Sequence, residues 1–176
     1  MIKEQEAIMT DLEKLLAIKE IRQLRPKYWR LIDAKQFDQL EELFTEDAWF
    51  DSVDAVCDPV KGQYPGFPVF PVSYGRANLI QRIIDGMPPE LQSSHMGNTG
   101  EIEITSDTTA KGVSSLYDRL LIPGVLAASG YGYYFDEYEK VDGKWRIKGT
   151  VLKRKRVVFE DDLGNGVDLS GKNTDT

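Results

Sequence analysis

The sequence predicts an α+β fold in which N-terminal helices pack on one face of a curved antiparallel sheet. In the first part of the chain, apolar residues recur at steps of three or four, which is typical of amphipathic helices. The second half instead carries strand-like runs separated by turn signals. With 176 residues and 41% hydrophobic content, the chain is long enough to bury a core, and we expect a single domain over residues 1–160.

The first predicted element is a long amphipathic helix. Thr10 and Glu13 have the spacing of a capping box, and the apolar stripe that follows continues to Leu31. Pro26 lies inside this stripe and is expected to bend or divide the helix, because proline removes one helical hydrogen bond. Asp33 falls at the C-terminal end, where the helix dipole disfavours a carboxylate, so we expect Asp33 to have a partner elsewhere.

A short helical segment, a strand and a further helix follow, and they are predicted over residues 37–44, 45–53 and 77–87. Between the predicted strand and the last helix, prolines alternate with aromatic residues. Prolines at this density forbid a helix or a central strand, yet the segment is too apolar for a solvated linker. We expect residues 59–74 to cover the mouth of a pocket as a lid. The equal alternative is permanent packing on the helices or on a second subunit.

The remainder of the chain is predicted to form strands. They cover residues 95–104, 109–122, 131–141 and 144–159. Asp142-Gly143 is the strongest hairpin signal between them. Residues 161–176 carry too few apolar side chains to fold alone, and we expect a flexible tail there.

Composition disfavours several classes of partner. A formal net charge of -7 argues against a general affinity for nucleic acid or for anionic membranes. The single cysteine, Cys57, allows no internal disulfide, and no Cys/His cluster offers a metal site. Without a signal-peptide core or a long apolar span, a cytoplasmic location is expected. The basic run at residues 153–156 alternates between two faces, so we interpret it as a solvated sheet edge.

His95, the only histidine, lies at the start of a predicted strand and is a candidate for acid–base chemistry, since imidazole titrates near neutral pH. Strict alternation would place His95 on the same face as Glu101 and Glu103, away from the helices. We therefore expect a bulge at Gly97 or Gly100 that turns His95 inward. The alternative is a surface histidine without a chemical role.

Four segments occur in an order that suggests a family. They are YWRLIDAKQFDQLEELFTEDAWF, YGRANLI, SSHMGNTGEIEI and DGKWRIKGTVL. Together they resemble the SnoaL-like branch of the nuclear transport factor 2 superfamily, over roughly residues 12–159. That family includes polyketide cyclases, scytalone dehydratase, a hexachlorocyclohexane dehydrochlorinase and bile acid 7α-dehydratase, besides members without chemistry. The resemblance implies a cone-shaped, cystatin-like fold with a central pocket for a small apolar molecule.

The resemblance also implies catalytic residues. Enzymatic members hold an Asp at the end of the first long helix and a His at the start of a strand, places that Asp33 and His95 match. Tyr28 and Asp118 match the spacing of a further Tyr and Asp in bile acid 7α-dehydratase. For Tyr28 the alternative is an aromatic of the buried helix face. For Asp118 it is a surface partner for a basic neighbour such as Arg119.

A second set of candidates comprises the expected ligand contacts. They are Trp29, Trp49, Phe67, Phe70, Met96 and Ser114. Ser114 stands where scytalone dehydratase carries a second histidine, so the hydration chemistry of that enzyme is not transferred. Several members hold a basic residue on the last strand, but residues 153–156 offer four candidates and no unique choice.

These candidates predict one of two functions. The first is a cofactor-independent lyase or isomerase that removes a proton beside a carbonyl of an apolar cyclic molecule, such as a steroid, terpenoid or polyketide. There His95 is the base, Asp33 holds its tautomer, and Tyr28 stabilises the enolate oxygen, with no metal or redox cofactor required. The second is a non-catalytic ligand-binding or dimerisation module. For either, we expect a homodimer formed through the outer sheet face.

Overall fold

The computed structural model describes residues 9–63 and 69–160, so the expected tail lies outside the described residues. The helices are α1 (Asp11–Asp33), a 3₁₀ helix (Phe37–Leu43) and α2 (Arg76–Gly86). The strands are β1 (Phe44–Asp51), β2 (Cys57–Asp58), β3 (Gly62–Gln63), β4 (Ser73–Tyr74), β5 (Gln92–Met96), β6 (Thr99–Ile104), β7 (Thr109–Ile122), β8 (Leu126–Val141) and β9 (Lys144–Glu160). The predicted α+β class is confirmed.

Helix α1 begins at the predicted capping box. The Glu13 carboxylate accepts from the Thr10 backbone N–H at 2.7 Å, and Thr10 Oγ1 accepts from the Glu13 N–H at 3.3 Å. Pro26 does not divide the helix, contrary to one of the two outcomes expected for it. A proline removes a single hydrogen bond, and Ile21 and Leu31 on either side of it are fully buried, which holds both halves against the sheet.

The main sheet has seven strands in the order β4-β1-β9-β8-β7-β5, and β6 also pairs with β7. All pairings are antiparallel except one, because β1 runs parallel to β9. The sheet is therefore mixed and mostly antiparallel, and the parallel direction of β1 was not predicted. Hairpin signals determine the relative direction of consecutive strands only. Strands β1 and β9 are distant in sequence, so no turn between them could indicate their direction.

Strands β7, β8 and β9 form a long antiparallel meander. The turn between β8 and β9 is the predicted Asp142-Gly143 pair, with φ values of 51° and 75°. Positive φ at both central residues is the requirement of the hairpin turn that Asp-Gly favours. Along β8, buried residues such as Tyr134 and Tyr138 alternate with exposed residues such as Tyr133. One face of the meander therefore packs on the helices and the other carries exposed aromatic rings.

A buried ion pair joins α1 to this inner face. Arg25 of α1 contacts the carboxylate of Asp136 on β8, with Nε to Oδ2 at 3.2 Å, and both side chains are fully buried. Thr150 Oγ1 accepts from Arg25 at 2.9 Å, and the Tyr138 hydroxyl donates to Asp136 at 3.0 Å. The charges are thus neutralised and hydrogen-bonded inside the core, as buried charges must be.

The predicted strand over residues 95–104 is two strands. Gly97 and Asn98 separate β5 from β6, and the pairing of β6 with β7 shifts between Thr99 and Glu101. The irregularity expected at Gly97 or Gly100 is therefore present, and it breaks the alternation that would have turned His95 away from the helices.

No described helix has the length and the apolar composition that crossing a bilayer requires.

Candidate active site

A cavity of about 360 Å³ lies between the helices and the inner face of the sheet. Its wall is mainly apolar, and residues of this kind include Ile32, Phe50, Leu79, Ile83, Leu120, Leu152, Val157 and Phe159. Polar side chains in the wall include Tyr28, Ser73, Arg82, His95, Asp118, Tyr134 and Arg154. An apolar cavity of this size with a few polar groups is the usual form of a small-molecule site.

Asp33 and His95 meet at this cavity. Asp33 is the last residue of α1, and its Oδ1 lies 2.6 Å from His95 Nδ1. The same carboxylate accepts from the Ser93 hydroxyl at 2.7 Å and from the His95 backbone N–H at 2.8 Å. These three contacts from β5 are the partners that a carboxylate at a helix C-terminus was expected to need.

The electrostatics of Asp33 determine the state of the His95 ring. Burial raises the pKa of the Asp33 carboxyl, but hydrogen bonds from the His95 ring, the Ser93 hydroxyl and the His95 backbone N–H outweigh burial, so the pKa lies below its usual value. An ionised carboxylate only accepts hydrogen bonds, so His95 Nδ1 must carry the proton. In a neutral ring, the lone pair then resides on Nε2.

His95 Nε2 faces a second carboxylate. Asp118 Oδ2 lies 3.9 Å from this nitrogen, beyond hydrogen-bonding distance, on the strand that pairs with β5. Arg154 of β9 binds both oxygens of Asp118, at 3.0 and 2.7 Å, and the His95, Asp118 and Arg154 side chains are exposed by only 8%, 4% and 7%. The partner of Asp118 is therefore Arg154, whereas Arg119 pairs with Glu160.

Two tyrosines, Tyr28 and Tyr134, also line the cavity. Burial raises the pKa of Tyr28 well above its usual value and that of Tyr134 to about 12. Both phenols therefore stay protonated at neutral pH and keep a donor hydrogen. Tyr28 packs edge-on against Phe44 at 6.0 Å between centroids, and Tyr134 contacts Phe50 at 6.2 Å. The packing holds both rings in place beside the cavity.

Both tryptophans that were expected to contact a ligand lie outside this cavity wall. Trp29 is buried between α1 and the sheet, 6.5 Å from the Tyr134 ring. Trp49 packs over Gly149 of β9, while its neighbour Phe50 takes the position in the wall. The pairing of β1 with β9 shifts between Phe44 and Trp49, and this irregularity changes which residues of β1 face inward.

Of the other residues expected to contact a ligand, some line the cavity and some do not. Phe70 lines the cavity, whereas Phe67 lies outside the described residues. Met96 is 53% exposed, since it follows the inward-facing His95 on the strand and therefore points to the other side. Ser114 is fully buried but is not part of the wall.

Three wall residues were not identified from the sequence. Arg154 was left undecided among the four basic residues. The pairing of β1 with β9 ends at Val151, so residues 153–156 lie beyond it, but the Arg154 side chain is only 7% exposed and is therefore not solvated, contrary to the interpretation of this run as a solvated sheet edge. Tyr134 and Arg82 were not predicted as site residues. A signal for Arg82 was present, because it follows Leu79 by three residues on the apolar face of a predicted helix.

The arrangement has the groups that proton transfer to and from a bound molecule requires. His95 lines an apolar cavity and in its neutral form can accept a proton at Nε2, Asp33 holds the ring, and Tyr28 and Tyr134 are the hydroxyl-bearing residues of the wall. Within residues 9–63 and 69–160, no group of three or more His, Cys, Asp or Glu side chains is close enough together to hold a metal ion.

Solved structures with the same fold are numerous, and at least three come from Novosphingobium. One, from N. aromaticivorans, is provisionally described as a scytalone dehydratase; it is 23% identical, with a TM-score of 0.68 over 93% of this chain and 99% of the other. The second is a hexachlorocyclohexane dehydrochlorinase from N. barchaimii, 18% identical, with a TM-score of 0.67 over 90% of this chain and 99% of the other. At sequence identities this low, the structural similarity shows that the fold is shared and does not by itself show a shared activity.

A third structure, from Nostoc punctiforme, is a protein of unknown function with a cystatin-like fold. It is 18% identical, with a TM-score of 0.57 over 84% of this chain and 95% of the other. In sequence, residues 13–151 match the model of the SnoaL-like domain. This match covers most of the chain and includes Asp33, His95 and Asp118. The protein therefore belongs to the SnoaL-like domain family.

Proposed function

We propose that the protein is a cofactor-independent lyase or isomerase that acts on an apolar cyclic molecule and uses His95 as its base. The observation that carries this proposal is the contact of 2.6 Å between Asp33 Oδ1 and His95 Nδ1 at the wall of an apolar cavity. A module that only binds apolar molecules gains nothing from a buried, oriented imidazole whose free nitrogen faces the ligand space. The small-molecule lyases among the related structures support the same class of reaction.

The proposed first step is removal of a proton from a carbon beside a carbonyl. The lone pair of His95 Nε2 takes the proton, the electrons of the broken C–H bond form a carbon–carbon double bond, and the carbonyl oxygen becomes an enolate. Asp33 stabilises the imidazolium that forms, in the way a carboxylate serves the histidine of a serine protease. The hydroxyl of Tyr28 or Tyr134 donates a hydrogen bond to the enolate oxygen.

The second step depends on the substrate. If the β-carbon carries a hydroxyl, the enolate re-forms the carbonyl and expels that oxygen, which takes the proton from the imidazolium and leaves as water. If no leaving group is present, the imidazolium returns the proton to a conjugated carbon and the product is an isomer. In either case the ion pair of Asp118 and Arg154 beside Nε2 has a net charge of zero, so it leaves the ring free to change charge.

Deuterium exchange tests the first step without knowledge of the natural substrate. The protein is incubated in D₂O with β-hydroxy ketones and β,γ-unsaturated ketones built on decalin and steroid rings, and deuterium at the carbon beside the carbonyl is measured by mass spectrometry. We expect catalysed exchange or conversion with at least one probe, and loss of it in His95→Gln. Ser94→Ala, on the exposed side of the same strand, is the control and should keep the wild-type rate.

The outcome also separates the two functional classes. Binding of these ketones without exchange by the wild-type protein, or equal exchange by wild type and His95→Gln, would favour a ligand-binding module. Dehydration and isomerisation are distinguished by the product mass, because only dehydration removes water.

We further propose a homodimer formed through the outer face of the sheet. Tyr117, Tyr131, Tyr133 and Phe135 are each between 41% and 50% exposed on this face, and large rings in a cluster favour an interface. Sedimentation at micromolar concentration tests this proposal, since a monomer would contradict it. The cytoplasmic location stays a prediction from composition.

A further inference from the structure

Arg82 is a cation in the cavity wall that comes from α2 and not from the sheet. Leu79, Ile83 and Gly86 line the cavity from the same face of this helix, so Arg82 interrupts an apolar stripe. Its guanidinium carbon lies 5.1 Å from the centroid of the Phe70 ring, which also belongs to the wall. The stack with Phe70 limits the positions that the guanidinium can take beside the cavity.

One hydrogen-bond donor of Arg82 is buried and unsatisfied. Its Nε is buried and has no hydrogen-bond partner, and within the described part of the chain Arg82 forms no ion pair. The other charged groups in the wall differ in this respect. His95 is bonded to Asp33, and Arg154 is bonded to both oxygens of Asp118. A buried donor without a partner costs free energy, which a ligand that supplies an acceptor would recover.

The chemistry of arginine indicates which ligand group fits. A guanidinium presents its N–H donors in a planar fork that matches the two oxygens of a carboxylate, and such charge-assisted bonds are among the strongest in proteins. The apolar wall around it favours a ring system as the remainder of the ligand. A neutral apolar molecule would fill the cavity but leave the buried Arg82 Nε without an acceptor.

We propose that Arg82 binds a carboxylate on the ligand, so that the site takes apolar ring acids in preference to neutral ring compounds. The inference specifies the substrate class of the proposed lyase or isomerase and rests on that function only for the claim that the ligand is a substrate. Arg82 then positions the ring system from α2, and the reacting carbon faces His95 on β5.

Binding of two matched probes tests the inference. 2-Naphthoic acid and 2-naphthamide share one ring system and differ in charge at neutral pH, and their dissociation constants are measured by calorimetry. We expect the wild-type protein to bind the acid about ten-fold more tightly than the amide, the range for one charge-assisted contact. Arg82→Gln should lose this preference by weakening the acid alone, with the amide bound as in the wild type.

Two controls separate the charge of Arg82 from other effects. Arg76→Gln makes the same change on the same helix at a residue outside the wall, and it should retain the preference for the acid. Arg82→Lys keeps the charge without the planar fork and should show an intermediate preference for the acid. If Arg82→Gln fails to fold, Arg82→Lys replaces it as the test of the inference. Equal binding of both probes by the wild type, no binding of either, or a preference that survives in Arg82→Gln would overturn the inference.

The result is independent of catalysis. His95→Gln should keep the preference for the acid, because the base does not contact the carboxylate in this arrangement. A protein that prefers the acid but never exchanges deuterium would retain this inference and contradict the proposed reaction. Exchange of deuterium without a preference for the acid would support the proposed reaction and contradict this inference.

Discussion

Asp118 and Arg154 form a two-point ion pair that passes over β8, although their own strands, β7 and β9, do not pair with each other. Gly130 of β8 lies beneath the pair. A Cβ at this position would approach Arg154 Nη1 to 2.8 Å and Asp118 Oδ1 to 2.9 Å. The bridge therefore depends on the missing side chain of Gly130.

The first prediction concerns this glycine. Gly130→Ala should lower the free energy of unfolding by about 1 to 3 kcal/mol, the usual cost of an inserted methyl group, and should reduce turnover because the ion pair beside His95 must move. Thermal or urea unfolding measures the first effect. Gly100→Ala is the matched control, since its nearest contact would be 3.8 Å away. Equal free energies of unfolding for Gly130→Ala and Gly100→Ala would contradict the prediction, because the ion pair of Asp118 and Arg154 would then accommodate the methyl group without loss of stability.

The second prediction is that His95→Ala lowers turnover by about 10² to 10⁴, the usual contribution of a general base. The melting temperature should stay within a few degrees of wild type, because the His95 side chain makes its contacts at the cavity and not in the core. Steady-state kinetics with any active ketone probe measures the loss, and near-normal turnover would exclude His95 as the base.

The third prediction separates the role of Asp33 from simple structural support. Asn in place of Asp33 has a similar shape, but its amide group would donate to Nδ1 and move the ring proton to Nε2, where the base is needed. We expect kcat to fall by about 10² or more with KM almost unchanged, by analogy with the same substitution in a serine protease triad. Ser93→Ala removes a contact of 2.7 Å to the same carboxylate and should have a much smaller effect.

The pH profile of Asp33→Asn provides a further readout. In the wild type, the depressed pKa of Asp33 keeps the carboxylate ionised down to acidic pH, so the loss of rate in the variant should persist from neutral pH to about pH 5. A variant that recovers activity when the pH is raised would indicate that its ring tautomer is not the cause.

The fourth prediction uses the buried Asp58 carboxylate. Burial raises its pKa, but backbone N–H donors from Val157, Lys61 and Val60, with Arg156 nearby, lower it below the usual value. A depressed folded-state pKa stabilises the fold above the unfolded pKa of about 4, and this stabilisation disappears as the pH falls through the folded value. Asp58→Asn should therefore cost about 1 to 3 kcal/mol at pH 7.

The cost of Asp58→Asn should begin to shrink as the pH falls below about 4, where the carboxylate of the unfolded chain becomes protonated, and it should disappear as the pH passes through the lower folded-state pKa. Urea unfolding at a series of pH values measures this difference. Asp107→Asn changes an exposed carboxylate and should have little effect at any pH. A cost for Asp58→Asn that is constant down to pH 2 would contradict the assignment to ionisation.

The fifth prediction concerns the core ion pair between Arg25 and Asp136. Arg25→Met alone should destabilise the protein by about 3 to 5 kcal/mol, because Asp136 is then buried without a counter-charge. Arg25→Met combined with Asp136→Leu should cost less than either change alone. Lys27→Met on the same helix breaks the exposed pair with Glu42 and should cost less than about 1 kcal/mol. Additive costs in the double variant would contradict this account.

The positions of Asp33 and His95 in the fold were predictable from the sequence because they follow from local signals. The end of the apolar stripe placed Asp33 at the C-terminus of α1, and the glycines after His95 indicated where the strand would break. Both signals lie within a few residues of the side chain they position.

Residues that depend on strand irregularities or on distant pairing were not predictable in this way. Trp49 was expected in the pocket, but the shifted pairing of β1 with β9 gives that place to Phe50. The pairing of β8 with β9 shifts between Tyr131 and Gly132, so Arg154 could not be assigned to a face by counting alternate residues. The parallel direction of β1 had no local signal at all.

The β7–β8–β9 meander has a consequence for the order in which the site assembles during folding. Its strands are joined by short turns, so its contacts close small loops and are expected early, whereas β1 reaches β9 only after a long loop closes. Asp118 and Arg154 both belong to the meander and are 36 residues apart, while Asp33 and His95 are 62 residues apart and meet only when α1 docks. We therefore expect the folding chain to hold the ion pair before it acquires a working base.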